Sequence, residues 1–235
     1  ELRKAWDIDL EGEEEEEKKE EGGRAENKDA LAREWFALVT ESVCDAGRGL
    51  WRRGEVEDVG LQINPWSGMI HTDHLEWFRF MGRVMGKALF DGRTIPNQII
   101  PYIYKFLVGS DLTLLDLKQC DPRYYDVVKD LEATEDLGNL GMNFTLTEEN
   151  PFGGEKHVEL IPGGVDVRLT AETLGLYKEC LIRYLLIDRL KPQLTELFGG
   201  IHEVVPRQLL GVFESHELEI IMCGSLGISH LQVPE

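Results

Sequence analysis

Residues 73–92 read Asp-His-Leu-Glu-Trp-Phe-Arg-Phe-Met-Gly-Arg-Val-Met-Gly-Lys-Ala-Leu-Phe-Asp-Gly, and this stretch decides the fold. Asp73 and Glu76 have the spacing of a reciprocal capping box, which opens a helix. Asp91-Gly92 provides a stop, because glycine readily takes the left-handed conformation past a last turn. The apolar residues between these ends recur at helical spacing and form one wide stripe: Trp77, Met81, Val84, Met85, Ala88 and Leu89. The stretch therefore predicts a single helix.

A second face of this helix carries Gly82 and Gly86, four residues apart, where another helix can approach the backbone closely. Arg79, Arg83 and Lys87 exclude a transmembrane span, since charges this frequent are too costly in a bilayer. We interpret the stretch as the central buried helix of a mostly helical domain. An amphipathic surface helix has the same composition, so composition alone leaves both interpretations open.

The composition indicates a globular and strongly acidic protein. Hydrophobic residues make up 42% of the 235 residues, which is enough for a core. The net charge of −19 disfavours nucleic acid or an anionic membrane as the main partner and favours a basic patch on another protein. Part of the charge is local: residues 11–21 hold eight Glu and two Lys, a run typical of a solvated loop.

The four cysteines, at positions 44, 120, 180 and 223, show no paired spacing and indicate reduced intracellular thiols. We expect no metal site, because the six histidines never fall into a ligand spacing, and no cofactor is implied. Cys223 precedes a helix end, where the dipole raises a thiol pKa, so we interpret it as structural. No apolar leader opens the chain and no apolar run could span a membrane, so we expect a cytoplasmic and/or nuclear protein.

The remaining pattern predicts an α+β fold that is predominantly α-helical. Alternation between Met142 and Leu169 predicts a small antiparallel sheet of two or three strands. We expect Pro192, Gly199-Gly200 and Pro206 to divide the chain after the long helix into short helices. Two further strands are predicted, at 2–10 and at Leu61–Asn64, with a loop after the first up to about Lys28. The other predicted helices run from Ala30 to Cys44, from Ile99 to Val108, onward from Asp121-Pro122, from Ala171 to Arg189 after a Thr170 cap, and from Ser215 to Cys223.

Several stretches together resemble one family, the HECT-type E3 ubiquitin ligases, and specifically the N-terminal lobe of their catalytic domain. The match runs in order from about Ala30 to Gly224, and it is the series rather than any one motif that is specific. The stretches are Arg33-Glu-Trp-Phe36, Leu61-Gln-Ile-Asn-Pro65, Phe80 to Gly92, Asp121-Pro122 with Tyr125, Phe144, Glu159-Leu-Ile-Pro-Gly-Gly164, Val167-Arg-Leu-Thr170, Phe213, and Glu217-Leu-Glu-Ile-Ile-Met-Cys-Gly224.

The resemblance implies a large helical subdomain, formed by residues 30–106 and 185–224, and a small α/β subdomain, residues 107–184, with a short antiparallel sheet. The small subdomain docks a ubiquitin-conjugating enzyme (E2) in this family. Residues 1–29 then form an N-terminal strand and the acidic loop, and residues 225–235 begin a hinge or tail. Gly224 and Ser225 correspond to that hinge.

Carried over position by position, the E2-binding groove of the family maps to six residues: Tyr124, Val128, Leu131, Leu140, Tyr177 and Leu181. The spacing within each helical set presents one face, as a groove requires. The alternative is that all six are ordinary core residues. Phe152 matches a phenylalanine of a second, non-covalent ubiquitin site, but Arg48 and Arg53 occupy the tyrosine positions of that site.

The nucleophilic cysteine of the family belongs to a following C-terminal lobe, and none of the four cysteines here matches it. The resemblance therefore implies no catalytic residue in this chain and a fragment that is inactive by itself. The implied partners are an E2, ubiquitin and, through regions outside this chain, protein substrates. The alternative from another class is a non-catalytic helical protein-interaction domain that shares the architecture.

Overall fold

The structure is a computed structural model that describes residues 2–4, 21–56, 59–95 and 99–224, with only the helical backbone for residues 21–28. The strand predicted at 2–10 falls mostly outside the described residues, as does most of the acidic run. The helices are α1 (Glu21–Cys44), α2 (Ser67–Ile70), α3 (His74–Phe90), α4 (Tyr102–Val108), α5 (Leu114–Cys120), α6 (Pro122–Ala133), α7 (Leu174–Leu186), α8 (Lys191–Val204), α9 (Arg207–Leu210) and α10 (Ser215–Cys223). The strands are β1 (Trp51–Arg53), β2 (Leu61–Ile63), β3 (Thr145–Glu149) and β4 (Glu155–Glu159).

Helix α3 lies at the centre of the helical part, which confirms the interpretation of residues 73–92 as a buried helix. Its inward face is buried along its whole length, from Phe78 to Ala88. It packs most extensively on α8, at the two glycines that the sequence singled out. A β-carbon at Gly86 would stand 2.9 Å from the carbonyl oxygen of Ile201, so only glycine permits this approach of the two backbones.

The prediction that Gly199-Gly200 breaks the chain is wrong, because α8 runs through both residues without interruption. A β-carbon at Gly200 would stand 2.2 Å from the carbonyl oxygen of Arg79, so this glycine is the counterpart on α8 of the small residues on α3. Beside this contact the Arg79 Nη1 donates to Glu196 at 2.9 Å, and Arg83 Nε donates to Glu203 at 2.5 Å. The glycines serve helix contact here and do not end a helix.

The capping box predicted at the start of α3 is also wrong. The carboxylate of Asp73 makes no cap hydrogen bond and instead accepts from the indole N–H of Trp77 at 3.0 Å. Capping boxes occur at two other helices, where the side chain at the cap and the acid three residues later bond reciprocally to the backbone. They are Thr113 with Asp116 at α5, and Glu214 with Glu217 at α10.

The β structure consists of two antiparallel pairs in the described part of the chain. In the first, Trp51 pairs with Ile63. In the second, β3 and β4 pair over five residues, from Thr145 with Glu159 to Glu149 with Glu155. The possible third strand at 165–169 is reduced to a 3₁₀ turn at Gly164–Asp166 and one isolated bridge between Asn143 and Arg168. The predicted small sheet is therefore a hairpin.

Helix boundaries differ from the sequence prediction at three places, the first being α4, which begins at Tyr102 and not at Ile99. Helix α1 begins at Glu21, so the loop expected up to about Lys28 is wrong for its last eight residues. The long helix expected from Ala171 to Arg189 is α7, which begins at Leu174 and ends at Leu186. Its N-cap residue is Thr173, so the predicted Thr170 cap is wrong. The Asp121-Pro122 signal is confirmed, with Pro122 at the first position of α6.

A buried polar cluster joins the β3–β4 hairpin to the end of α7. Glu148, on β3, accepts a hydrogen bond from the Tyr184 hydroxyl at 2.5 Å and another from Arg189 Nη1 at 3.3 Å. The Nε of Arg189 also donates to the carbonyl of Leu185 at 2.7 Å. The Arg189 and Glu148 side chains are both nearly inaccessible to solvent, so this ion pair fixes the hairpin against the helices.

Candidate functional site

Helices α6 and α7 pack against each other in the α/β part and bring four of the six predicted groove residues together. Val128 and Leu131 come from α6, and Tyr177 and Leu181 from α7; all four are buried. The spacing of i and i+4 on each helix placed them correctly on one face, but that face points into the core. These four residues form a floor that a partner cannot reach without displacing other side chains.

The other two predicted residues are accessible. Tyr124, in the first turn of α6, is only partly buried, and Leu140 is 49% exposed at the end of a 3₁₀ turn, Leu137–Leu140, that follows α6. Burial raises the pKa of the Tyr124 hydroxyl, and the neighbouring Asp121 carboxylate raises it further. Val127, which sequence reasoning missed, is 41% exposed and lies on α6 at i+3 from Tyr124. On α6 and in the turn after it, the accessible apolar residues are Tyr124, Val127 and Leu140.

The floor is rigid because an aromatic contact supports it from the hairpin side. The ring of Phe144 meets the ring of Tyr177 edge to face, with centroids 5.4 Å apart. Phe144 is held in place by Gly164, where a β-carbon would stand 2.5 Å from the Phe144 carbonyl oxygen. Gly163 before it has φ 74°, a left-handed conformation that favours glycine. The Pro162-Gly163-Gly164 turn thus positions an aromatic side chain beneath Tyr177.

A short salt-bridge chain ties α6 to α7 at the surface. Glu132 accepts hydrogen bonds from Lys129 at 2.8 Å and from Lys178 at 2.6 Å, and Lys178 follows Tyr177 directly on α7. These two ammonium groups lower the pKa of the Glu132 carboxyl to about 2. Glu132 therefore stays ionised at physiological pH and keeps both lysines in place.

Exposed carboxylates lie along α6 and just beyond its end. Asp126 and Asp130 are exposed on α6, and Glu135 is exposed just beyond its end. Within the described ranges none of these three makes an ion pair, in contrast to Glu132. Unpaired carboxylates around an apolar surface complement a partner with a basic rim.

The residues implied for a second ubiquitin site and for the hinge are found in exposed places. Phe152 is 67% exposed at the tip of the β3–β4 hairpin, and Arg48 and Arg53 are exposed in and next to β1. Gly224 ends α10 in the left-handed conformation, with φ 76°, and its N–H bonds to the carbonyl of Ile220 at 2.7 Å. Ser225 lies outside the described residues.

Burial works against activation of three of the thiols. Burial raises the pKa of Cys120 and of Cys180, and it raises that of Cys223 against the opposing effect of a hydrogen bond with Tyr104. The described ranges contain no cluster of three His, Cys, Asp or Glu side chains placed to hold a metal ion. They also contain no helix that is both long enough and apolar enough to cross a membrane.

Sequence reasoning missed a cleft of about 840 Å³ between α7, α8 and the loop after α4. Its middle is lined by Phe106 and Phe198, whose ring centroids lie 5.7 Å apart. Arg183, Lys191 and Arg207 contribute cationic side chains, while Asp111, Glu179 and Asp188 contribute carboxylates. The walls come from three distant segments, so no local pattern in the sequence could have indicated them.

Comparison with known proteins agrees with this architecture. The profile of the family described as HECT-domain (ubiquitin-transferase) matches residues 37–233. The E3 ubiquitin-protein ligase Nedd-4 of Drosophila melanogaster is 32% identical over 194 residues, which are 83% of this chain and 19% of that protein. The E3 ubiquitin-protein ligase NEDD4 of Homo sapiens is also 32% identical over 194 residues, 83% of this chain and 15% of that protein.

A plant relative shows the same relationship. The E3 ubiquitin-protein ligase UPL1 of Arabidopsis thaliana is 31% identical over 204 residues, which are 83% of this chain and 5% of that protein. The chain thus spans less than a quarter of the length of these relatives. The family profile, the relatives and the helical fold with its small hairpin lead to one conclusion: the chain belongs to the HECT-type E3 ubiquitin ligase family and corresponds to the N-terminal lobe of the HECT domain.

Proposed function

We propose that this chain docks a ubiquitin-charged E2 on the surface formed by Tyr124, Val127 and Leu140, as the docking half of a two-part ubiquitin transferase. The observation that carries the proposal is that Tyr124 is partly exposed on α6 and Leu140 is exposed in the turn after it, while the other four carried-over residues are buried in the α6–α7 pair. The buried residues of the α6–α7 pair are already ordered. A partner side chain that packs on this surface therefore loses its water without the entropic cost of ordering flexible residues. The partner therefore supplies a bulky apolar loop side chain.

Charge supports a basic partner surface around that side chain. Asp126, Asp130 and Glu135 are exposed and have no cation bound to them within the described residues. The whole chain carries a net charge of −19, which adds long-range attraction for a basic protein. Such complementarity acts mainly on the rate of association and on the choice among related partners.

The chemistry that follows docking needs a nucleophile from elsewhere. The acyl group of ubiquitin passes from the E2 cysteine to a cysteine of a C-terminal lobe outside these 235 residues, and then to the amine of a substrate lysine. In each step the acyl carbon forms a bond to the new nucleophile, its bond to the previous sulfur breaks, and that sulfur leaves as a thiol. This chain contributes the position of the donor, with Gly224 at the hinge, and substrates bind to regions outside it. We place the reaction in the cytoplasm and/or nucleus, where thiols stay reduced.

The test is a titration of the isotopically labelled chain with a panel of E2 proteins, followed by heteronuclear NMR. Leu140→Glu and Tyr124→Ala should each weaken binding by about tenfold or more, the loss expected for an interface anchor. Leu209→Glu is the matched control, because Leu209 is 57% exposed on α9, outside the α/β part, and its replacement should leave binding unchanged.

Two results would contradict the proposal. One is that a folded wild-type chain binds no member of the panel, which leaves the non-catalytic interaction domain as the better hypothesis. The other is that Leu209→Glu weakens binding as much as Leu140→Glu, which moves the docking surface away from α6.

A further inference from the structure

One of the six tyrosines is placed differently from the others. Four are buried: Tyr102, Tyr104, Tyr177 and Tyr184. Tyr124 packs partly against the core, and its hydroxyl pKa is raised by burial. Tyr125 is partly exposed and is not among the partly buried residues that pack on the core. Tyr125 is therefore the tyrosine most available to a partner enzyme.

Two lysines from different helices meet at the Tyr125 ring. Lys118 Nζ, from α5, lies 5.2 Å from the ring centroid, and Lys129 Nζ, from α6, lies 5.9 Å from it. Lys118 makes no ion pair with any carboxylate of the described residues, whereas Lys129 also donates to Glu132 at 2.8 Å. The pKa of Lys129 is raised, chiefly by Glu132 and in part by Tyr125.

The backbone at this point is the first turn of α6. The hydrogen bond that closes its first turn, from the Tyr125 N–H to the Asp121 carbonyl, is 3.4 Å long, beyond the usual range for such bonds. The turn begins at Pro122, after the extended residue Asp121. The terminal turns of helices fray more than their interiors, and an enzyme that modifies tyrosine needs the chain in an open conformation.

From the exposure of Tyr125, the lysine pair and its place in the first turn of a helix together, we infer that Tyr125 is a phosphorylation site whose phosphate is bound by Lys118 and Lys129. A protein tyrosine kinase transfers the γ-phosphoryl group of ATP: the bond between Tyr125 Oη and phosphorus forms, the bond to the ADP oxygen breaks, and the phenolic proton passes to the kinase base. The product carries a charge of about −1.5 to −2. Asp126 is an adjacent like charge, and the two ammonium groups offset it.

The site lies at the edge of the docking surface, because Tyr124 precedes Tyr125 on α6. The inference stands independently of E2 docking, since it rests on the ring, the lysines and the first turn alone. A failure to bind any E2 would leave it untouched, and a failure of phosphorylation would leave the docking proposal untouched.

The first experiment exposes the folded chain to Mg-ATP and a broad-specificity tyrosine kinase domain, and maps the phosphate by mass spectrometry. Tyr125 should carry most of the phosphate, and Tyr125→Phe should lower total incorporation at least about tenfold. Tyr124→Phe is the matched control and should leave incorporation near the wild-type level. Phosphate mainly on another tyrosine, or none on the folded chain, would overturn the inference.

The second experiment tests the lysine pair on the phosphorylated chain by ³¹P NMR titration. Two nearby cations favour the dianion, so the second pKa of the phosphate should lie at least about half a unit lower in the wild type than in Lys118→Met/Lys129→Met. Lys156→Met, an exposed lysine on β4, is the control and should leave that pKa unchanged. Equal phosphate pKa values in the wild type and the double variant would show that the lysines do not bind the phosphate.

Discussion

A β-carbon at Gly82 would stand 2.0 Å from the carbonyl oxygen of Leu197, so α3 and α8 meet at backbone distance. Gly82→Ala must therefore push the two helices apart, and backbone atoms cannot rotate away as a side chain can. We expect a loss of about 3 kcal/mol in the free energy of unfolding, at the upper end for overpacking. Urea denaturation followed by circular dichroism measures it.

Gly175→Ala is the matched control for that substitution. Gly175 lies in α7 with open space around it, and its φ is not in the left-handed region. An alanine there should stabilise the chain by about 0.4–1 kcal/mol, because it restricts the unfolded state. Equal destabilisation by both variants would show that the α3–α8 contact is not what makes Gly82 necessary.

The same glycines show what the sequence can predict about the fold and what it cannot. Periodicity predicts that α3 is a helix, and the spacing of Gly82 and Gly86 predicts a close neighbour. The sequence does not identify α8 as that neighbour, because Gly200 by itself predicts a helix end. Its role becomes clear only from its contact with Arg79 in the structure. Likewise, Asp73 has the spacing of a cap, but its carboxylate can accept a hydrogen bond either from the backbone or from the Trp77 indole. Only the folded structure shows that it accepts from Trp77.

Removing one member of the buried Arg189–Glu148 pair should destabilise the chain more than the loss of both charges together would suggest. Among the described residues, Arg189→Met leaves the buried Glu148 carboxylate with the Tyr184 hydroxyl as its one remaining partner, which should lower the free energy of unfolding by about 3 kcal/mol or more. Adding Glu148→Gln removes the uncompensated charge and keeps an acceptor for Tyr184. The double variant should therefore lose less than the sum of the single losses.

Arg183→Met provides the comparison for Arg189→Met. Arg183, on α7, pairs with Asp188 at 3.4 Å, but its side chain is largely exposed. Its loss should cost less than about 1 kcal/mol, as is usual for surface ion pairs. Chemical denaturation of Arg189→Met, Glu148→Gln, the double variant and Arg183→Met measures these losses. If the losses of Arg189→Met and Glu148→Gln add strictly in the double variant, the two residues are not coupled.

His74 should make the stability of the chain depend on pH. Burial lowers its pKa from 6.5, against an opposing effect of Asp73, and its Nδ1 lies 3.0 Å from the hydroxyl of buried Ser67. The unfolded state therefore binds the proton at a higher pH than the folded state. The contribution of neutral His74 should be complete above about pH 6.5 and should fall as the pH decreases below that value.

His74→Asn removes this titration while keeping a polar side chain. We expect the wild type to lose stability relative to His74→Asn as the pH decreases from about 7 to 5, with His71, His157, His202 and His216 common to both proteins. Thermal unfolding at several pH values measures the difference. Parallel pH profiles for the two proteins would show that His74 does not titrate differently on folding.

The docking residues illustrate a different limit of sequence prediction. Spacing correctly groups Tyr124, Val128 and Leu131 on one face of α6, but the same spacing describes a core face. Only the packing of α7 decides that Val128 is fully buried while Tyr124 is partly exposed. Val128→Asp should therefore unfold the chain rather than block docking, since an unpaired charge in the core is too costly. A cooperative thermal transition for this variant at the wild-type temperature would contradict the assignment.

This chain should not accept ubiquitin on any of its own thiols. Burial raises the pKa of Cys120, Cys180 and Cys223, and only the thiolate attacks a thioester, so the reactive fraction at neutral pH is small. Incubation with ubiquitin-activating enzyme, a docking E2, ubiquitin and ATP should give a reductant-sensitive ubiquitin adduct on the E2 and none on this chain. Non-reducing electrophoresis separates the two adducts by size. An adduct on the chain that disappears in one Cys→Ser variant would assign a nucleophile to this lobe. It would contradict the proposal that this chain only docks the E2.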